Sequence, residues 1–268
     1  MPELPEVETI RTELLPWVLE RQFVEINILD SKLAQSLSAE GLQGLIGCTV
    51  QKLERRGKYL IFRLSNGQSL IIHLRMTGSL LVNPSEAGKY ARATFLFSGG
   101  MKLVFSDMRR LGVIYLVEDA ESVVGRLGVE PLSDSFTIEL LLKLIRKHHI
   151  PVKLALLDQS IIAGIGNMYA DEALFAANIH PLLFTDELSM QQVQSLYYSI
   201  GNVLSSAIRS KGASIDTYIR PDGEIGIAQI QFKVAHRKGE QCSVCGTPVQ
   251  RIMLRGRGSY FCPRCQPE

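Results

Sequence analysis

Hydrophobic positions between residues 23 and 118 come in short alternating or continuous runs: Phe23–Leu29, Thr49–Glu54, Tyr59–Leu64, Ser69–Leu74, Ser79–Val82, Ala93–Phe97, Lys102–Phe105 and Val113–Val117. Turn residues such as Ser65-Asn66-Gly67 and Ser98-Gly99-Gly100 separate them, so the runs read as β-strands. Strands of this number and spacing predict a sandwich. Ahead of them Val7, Ile10, Leu14 and Trp17 recur at helical spacing, with Pro5 in the first turn and Glu6 and Glu8 at the positive end of the helix dipole. Beyond Gly128–Pro131, the expected domain boundary, the period becomes helical. Phe136–Lys147 ends in the basic cluster Lys143, Arg146, Lys147, His148 and His149. Ser189–Lys211 is the clearest helix: Ser189 and Gln192 form a capping box, Val193, Leu196, Ile200 and Leu204 lie on one face, and Gly212 stops it. Asp216–Ile230 is polar and Gly-rich, and reads as a mobile loop.

A chain of 268 residues has material for two domains with a core in each. No apolar run approaches the ~20 residues of a membrane span. The acidic N-terminus is unlike a secretory signal, so a cytoplasmic location is expected. The formal net charge of +2 decides little, but its distribution does. Residues 231–268 hold seven Lys/Arg against two acids, a net of +5, which leaves −3 for the first 230 residues. A basic tail on a mildly acidic body suggests a polyanionic partner.

Four of the five cysteines are clustered as Cys242-x2-Cys245 and Cys262-x2-Cys265, sixteen residues apart. That spacing suits a four-cysteine structural zinc site, and a reducing compartment disfavours disulfides. Pro248–Leu254 and Ser259–Phe261 read as two strands around the turn Arg255-Gly256-Arg257-Gly258. Four thiolates leave no open position on the metal, so its task is to fold the ribbon. Cys48, isolated in a strand run, reads as a small buried apolar residue.

Candidate chemistry begins at Met1-Pro2-Glu3-Leu4-Pro5-Glu6-Val7-Glu8. If Met1 is removed, Pro2 exposes a secondary amine, and an α-amino group titrates near ~7.7–8.0 against about 10.4 for lysine. Condensed with an aldehyde it gives an iminium that keeps its positive charge and acts as an electron sink, with Glu3 and Glu6 as carboxyl partners. A capped structural helix accounts for the same residues. The stretch Ala163-Gly164-Ile165-Gly166-Asn167-Met168-Tyr169 has a Gly-x-Gly turn opening a helix, suited to a phosphate or to a tight helix–helix turn. Lys58 and His73 sit at strand ends, where such residues are commonly just solvated.

The opening Met-Pro-Glu-Leu-Pro-Glu-Val-Glu-Thr, the Gly164–Glu172 element with Ile179-His180-Pro181 after it, and the four-cysteine ribbon together resemble the formamidopyrimidine-DNA glycosylases, which excise oxidised purines from DNA. The resemblance spans almost the whole chain. It implies an α+β fold: an N-terminal β-sandwich flanked by helices over 1–130, a helical domain with a helix–two-turn–helix element over 131–230, and a zinc hairpin over 231–268. Damaged double-stranded DNA would be the partner of a monomer, in the cytoplasm with the nucleoid. One structural zinc would sit on Cys242, Cys245, Cys262 and Cys265. The resemblance further implies Pro2 as nucleophile, Glu3 as proton donor, Lys58 as an aid to elimination, and Arg257 as a catalytic-site residue that holds a phosphate with His73 and Asn167. Met76, Arg109 and Leu111 would fill the gap left by a flipped base, while Lys153 and Tyr169 would contact DNA.

Three departures from the family pattern stand out. Position 111 is Leu where the family usually has Phe. Lys89-Tyr90-Ala91-Arg92 lacks the family's His-Asp-His, which removes a customary DNA contact at residue 90. The loop of 216–230, which closes over the base in relatives, is not a close match. Two rival readings follow: an endonuclease VIII type enzyme for oxidised pyrimidines, and a non-catalytic zinc-ribbon DNA-binding protein.

Overall fold

The computed structural model describes residues 1–30, 32–33 and 39–268. Two units emerge, one of residues 1–126 with 210–229, the other of 127–209 with 230–268. The first unit opens with α1 (Leu4–Val18), followed by β1 (Phe23–Ile28) and α2 (Ala39–Gln43). The strands β2 (Val50–Arg56), β3 (Tyr59–Leu64), β4 (Ser69–His73), β5 (Gly78–Val82), β6 (Ala91–Phe97), β7 (Lys102–Asp107) and β8 (Val113–Val117) come next, then α3 (Glu121–Val124). They form two antiparallel four-stranded sheets, in the orders β1-β6-β7-β5 and β2-β3-β4-β8.

Inward side chains of both sheets and one face of α1 share a single core, with Phe23, Phe62, Phe95, Phe97 and Phe105 its largest apolar members. The Phe23 and Phe97 rings pack with their centroids 4.5 Å apart, tilted at 38°. Val7, Ile10 and Leu14 are buried as the helical period requires, but Trp17 is 46% exposed and Val18 is buried in its place. The step of four from Leu14 keeps Val18 on the buried face of α1, whereas the step of three puts Trp17 on its exposed side.

The segment 210–229 belongs with this first unit rather than with the helical domain. It is also tied down along its length: the Ala213 N–H donates to Glu6, Arg220 donates to both oxygens of Glu13 at 3.0 and 3.1 Å, the Val82 N–H donates to the Pro221 carbonyl, and the Tyr218 ring joins the core. A polar sequence without period conceals this, because its anchors are individual hydrogen bonds rather than an apolar face.

The second unit contains α4 (Ile138–Ile145), α5 (Val152–Leu157), α6 (Asn167–Ala176) and α7 (Met190–Arg209), then the hairpin of β9 (Gln250–Leu254) and β10 (Arg257–Phe261). The capping box at α7 is formed: Ser189 N–H to Gln192 Oε1 at 2.9 Å and Gln192 N–H to Ser189 Oγ at 3.2 Å. Gln159 staples the double turn between α5 and α6, donating to the Leu157 and Ile165 carbonyls and accepting from the Gly164 N–H. The hairpin turn is shorter than the sequence suggests. Only Arg255 and Gly256 lie in it, both left-handed (φ 44° and 76°), and Arg257 already pairs with Leu254. A two-residue turn of that hand matches the natural twist of the strands.

Candidate functional site

In the first unit, Pro2 and Glu3 are buried at the N-terminus of α1. The Glu3 N–H donates to Glu6 Oε2 at 2.8 Å, and Glu6 Oε1 accepts the Ala213 N–H at 2.8 Å. Glu6 is fully buried, so one carboxylate fixes both the start of the chain and the 210–229 segment. Gly212 beside it is left-handed (φ +78°), and a Cβ there would come within 2.9 Å of Glu6. The sequence signalled Glu6 as a helix-dipole residue and a carboxyl neighbour of the Pro2 amine; its partner Ala213 lies 207 positions away.

Lys58 lies in the Gly57-Lys58 turn between β2 and β3, and His73 ends β4, where it pairs in register with Tyr59. Both are nearly buried, at 7% exposure. Burial, with the charges of Arg75 and Lys58, pushes His73 down to about 3, so the ring is neutral at physiological pH. Its Nδ1 accepts the Arg75 N–H at 3.0 Å, which places the proton on Nε2 and makes that atom a donor. Arg55, near the end of β2, donates to Glu8 of α1 at 2.8 Å and to the Gly57 carbonyl at 3.0 Å. Burial alone would raise Glu8, but hydrogen bonds from Arg11 and Arg55 outweigh it and hold the carboxyl below its usual range.

Met76, Arg109 and Leu111 are exposed, and they stand on two neighbouring loops. Each loop holds an arginine in left-handed backbone, Arg75 at φ 54° and Arg110 at φ 56°, a conformation worth of order 1–3 kcal/mol of strain for such residues. Arg110 is held there by Asp30, with contacts of 2.5 and 2.9 Å to its two oxygens, and the guanidinium keeps that carboxyl below its usual range. At the departure over 89–92, Arg92 donates to the Asp107 carbonyl at 2.8 Å and lies 3.9 Å from Asp30. Lys89 lies over the Tyr90 ring at 4.9 Å.

In the second unit, Asn167 is half-buried and donates to the Gly258 carbonyl at 2.8 Å, which brings it beside the exposed Arg257. Lys153 and Tyr169 are both buried. Lys153 is fully buried, its Nζ 2.6 Å from Asp171, 2.7 Å from Ser259 Oγ and 3.3 Å from the Gly258 carbonyl. Burial pushes the Asp171 carboxyl up, to about 7, against the pull of the Lys153 ammonium. The Tyr169 ring is likewise buried, edge-on to Phe232 at 5.8 Å. Glu172, unremarked in the sequence, accepts the N–H groups of Lys233, Val234 and Ala235 and so fixes the chain leading to the hairpin.

The sulfurs of Cys242, Cys245, Cys262 and Cys265 lie within 4.8 Å of one another, with Cys242–Cys265 at 3.8 Å and Cys245–Cys262 at 3.4 Å. Those separations exclude disulfides, whose sulfurs sit ~2.05 Å apart. They fit a tetrahedron around one zinc, since Zn–S bonds of ≈ 2.3 Å put the sulfurs roughly 3.8 Å apart.

Three family models match in chain order: the formamidopyrimidine-DNA glycosylase N-terminal domain over residues 1–114, its H2TH domain over 127–219, and the zinc finger found in FPG and IleRS over 239–267. A formamidopyrimidine-DNA glycosylase of Shouchella clausii is 40% identical over 275 residues, covering 100% of this chain and 99% of the relative. The chain belongs to the formamidopyrimidine-DNA glycosylase family. Among solved structures, Lactococcus lactis Fpg bound to DNA containing an abasic site matches with a TM-score of 0.92 at 34% identity, covering 99% of this chain and 100% of that one. The same enzyme bound to DNA containing Fapy-dG matches with a TM-score of 0.91 at the same identity and coverage. Membership of the glycosylase family makes the four-cysteine group its structural zinc finger.

Proposed function

We propose that the protein is a bifunctional DNA glycosylase and abasic-site lyase that removes oxidised purines, 8-oxoguanine and formamidopyrimidines, from duplex DNA. The observation that carries this reading is the Pro2-Glu3 terminus, buried and held by Glu6 at the head of α1, in a full-length relative of formamidopyrimidine-DNA glycosylases. The abasic and Fapy-dG DNA in the solved Lactococcus lactis complexes supports the same substrates here.

The target nucleotide leaves the stack first, because its anomeric carbon is unreachable within a duplex. Met1 must also be removed, since the Pro2 nitrogen is an amide while Met1 is attached. The Pro2 nitrogen lone pair then forms a bond to C1′ while Glu3 gives a proton to the sugar ring oxygen. The base leaves with the glycosidic electron pair, taking up the proton that the Pro2 nitrogen gives up; the C1′–O4′ bond then breaks to the protonated ring oxygen, and an iminium remains. That cation acidifies the 2′-hydrogen; its loss expels the 3′ phosphate, and a second elimination expels the 5′ phosphate. Lys58 assists these proton transfers, while His73 through Nε2–H, Asn167 and Arg257 hold phosphates. Met76, Arg109 and Leu111 occupy the space of the flipped nucleotide. Lys153 acts from behind, fixing the Gly258-Ser259 backbone next to Arg257. Zinc holds the hairpin in shape, and four thiolates leave it no open position.

We place the enzyme with the nucleoid as a monomer; no helix among the described residues is long and apolar enough to cross a membrane. Excision assays on duplexes carrying 8-oxoguanine, a formamidopyrimidine or an oxidised pyrimidine test the reading. Release of the purine lesions with a one-nucleoside gap is the expected result. A preference for the pyrimidine would assign the endonuclease VIII type instead, and tight binding without release would make the protein a non-catalytic binder.

A further inference from the structure

We infer that Asp107, which nothing in the reaction touches, is the positioning residue for base flipping. Its carboxylate joins the two loops that carry Met76, Arg109 and Leu111. Asp107 ends β7, is 1% exposed, and faces Gly78 at the start of β5. Its Oδ1 accepts the Thr77 hydroxyl and the Arg109 N–H, the latter at 3.1 Å. Its Oδ2 accepts the N–H groups of Leu111 and Gly112, each at 2.7 Å. The Thr77 oxygen in turn accepts the Arg109 N–H at 3.2 Å, which closes the link between the loops.

Four donors on two oxygens match the acceptor capacity of an ionised carboxylate. Neither Asn nor Ser offers as many acceptor positions in that space. Gly112 is shaped to the same end: a Cβ there would sit 2.5 Å from the Phe105 ring and 3.2 Å from Asp107 Oδ2. The backbone of 107–112 is therefore pinned from within by Asp107 and from outside by the Asp30–Arg110 pair, while the side chains of Arg109 and Leu111 project into solvent. Left-handed backbone at Arg75 and Arg110 persists only where the surroundings over-determine it.

A wedge must push a paired base out of its stack, and a yielding loop would be pushed back instead. Ordering these two loops during folding removes that cost from the flipping step. Asp107 thus serves substrates that must be flipped and contributes little to one whose base is already gone.

The inference rests on the glycosylase reading, and the test separates the two. Asp107→Asn turns an NH2 group towards two of the donors. Thr77→Val, a milder change, removes only the hydroxyl link between the loops. Wild type and both variants are assayed on 8-oxoguanine opposite cytosine and on a pre-formed abasic-site duplex, with 2-aminopurine beside the lesion reporting unstacking. For Asp107→Asn, kcat/KM on the paired lesion should fall by about 10- to 100-fold, the range for a misplaced positioning group. Thr77→Val should fall in the same direction by less. Unstacking should weaken in both variants while abasic-site cleavage stays near wild type. Equal losses on both substrates, or no loss on either in Thr77→Val and Asp107→Asn, would overturn the role of Asp107. Failure of the wild type to cleave the abasic duplex would overturn the glycosylase reading and this inference together.

Discussion

Arg109 and Arg257 both stand exposed beside tight turns, and the molecule holds them by opposite means. The Arg109 loop hangs from a sandwich with a large apolar core and is fixed by two carboxylates, Asp107 and Asp30. The hairpin of Arg257 has only a small apolar cluster beneath it, formed by Phe175, Val234 and Val249 with Cys242 and Cys262. Its order comes from four thiolates arranged for a metal and from the buried Lys153–Asp171 pair. A loop on a strong scaffold needs only hydrogen bonds to be precise, whereas a short ribbon needs a metal to fold at all.

Removing the metal should have the largest effect. Structural zinc contributes about 10–16 kcal/mol to folding in small finger peptides, so Cys262→Ser should lose zinc and DNA binding together. Metal content and a binding titration check it, and retained binding without zinc would contradict it. Lys153→Met ranks next. Breaking a buried pair costs about 3–5 kcal/mol, so thermal denaturation should show a lowered midpoint for this unit. A variant with unchanged stability but a reduced salt dependence of binding would restore Lys153 as a direct phosphate contact.

Arg257→Ala should keep its zinc and its stability while binding weakens, with the slope of log K against log salt reduced by about one. Unchanged binding at every salt concentration would remove the hairpin from the DNA backbone. The smallest effect concerns the other loop. Leu111 fills volume but offers no π face, and base–aromatic stacking is worth roughly 1–3 kcal/mol. Leu111→Phe should therefore raise excision of 8-oxoguanine opposite cytosine more than cleavage of an abasic site; equal changes would make position 111 a packing residue.

The features legible in the sequence are those written in local periods and short spacings. Alternation places the strands to within two residues of their observed ends, the capping box at Ser189 is formed, and the cysteine spacing brings four sulfurs together. The supports of the site were not legible, because each joins residues far apart. Glu6 meets Ala213, Asp30 meets Arg110, and Lys153 meets Ser259, across 207, 80 and 106 positions. For the same reason nothing local announces that tertiary packing encloses Lys153 and Tyr169. Trp17 was misplaced by a choice between steps of three and four that only tertiary packing decides.

The central claim is that the Pro2 nitrogen, freed of Met1, forms the covalent intermediate. Borohydride reduction on an abasic-site duplex, followed by mass mapping of the trapped peptide, addresses it directly. The account predicts an adduct on an N-terminal peptide that lacks Met1 and begins at Pro2, with trapping sharply reduced in Pro2→Gly. An adduct on Lys58, or undiminished trapping in Pro2→Gly, would contradict it.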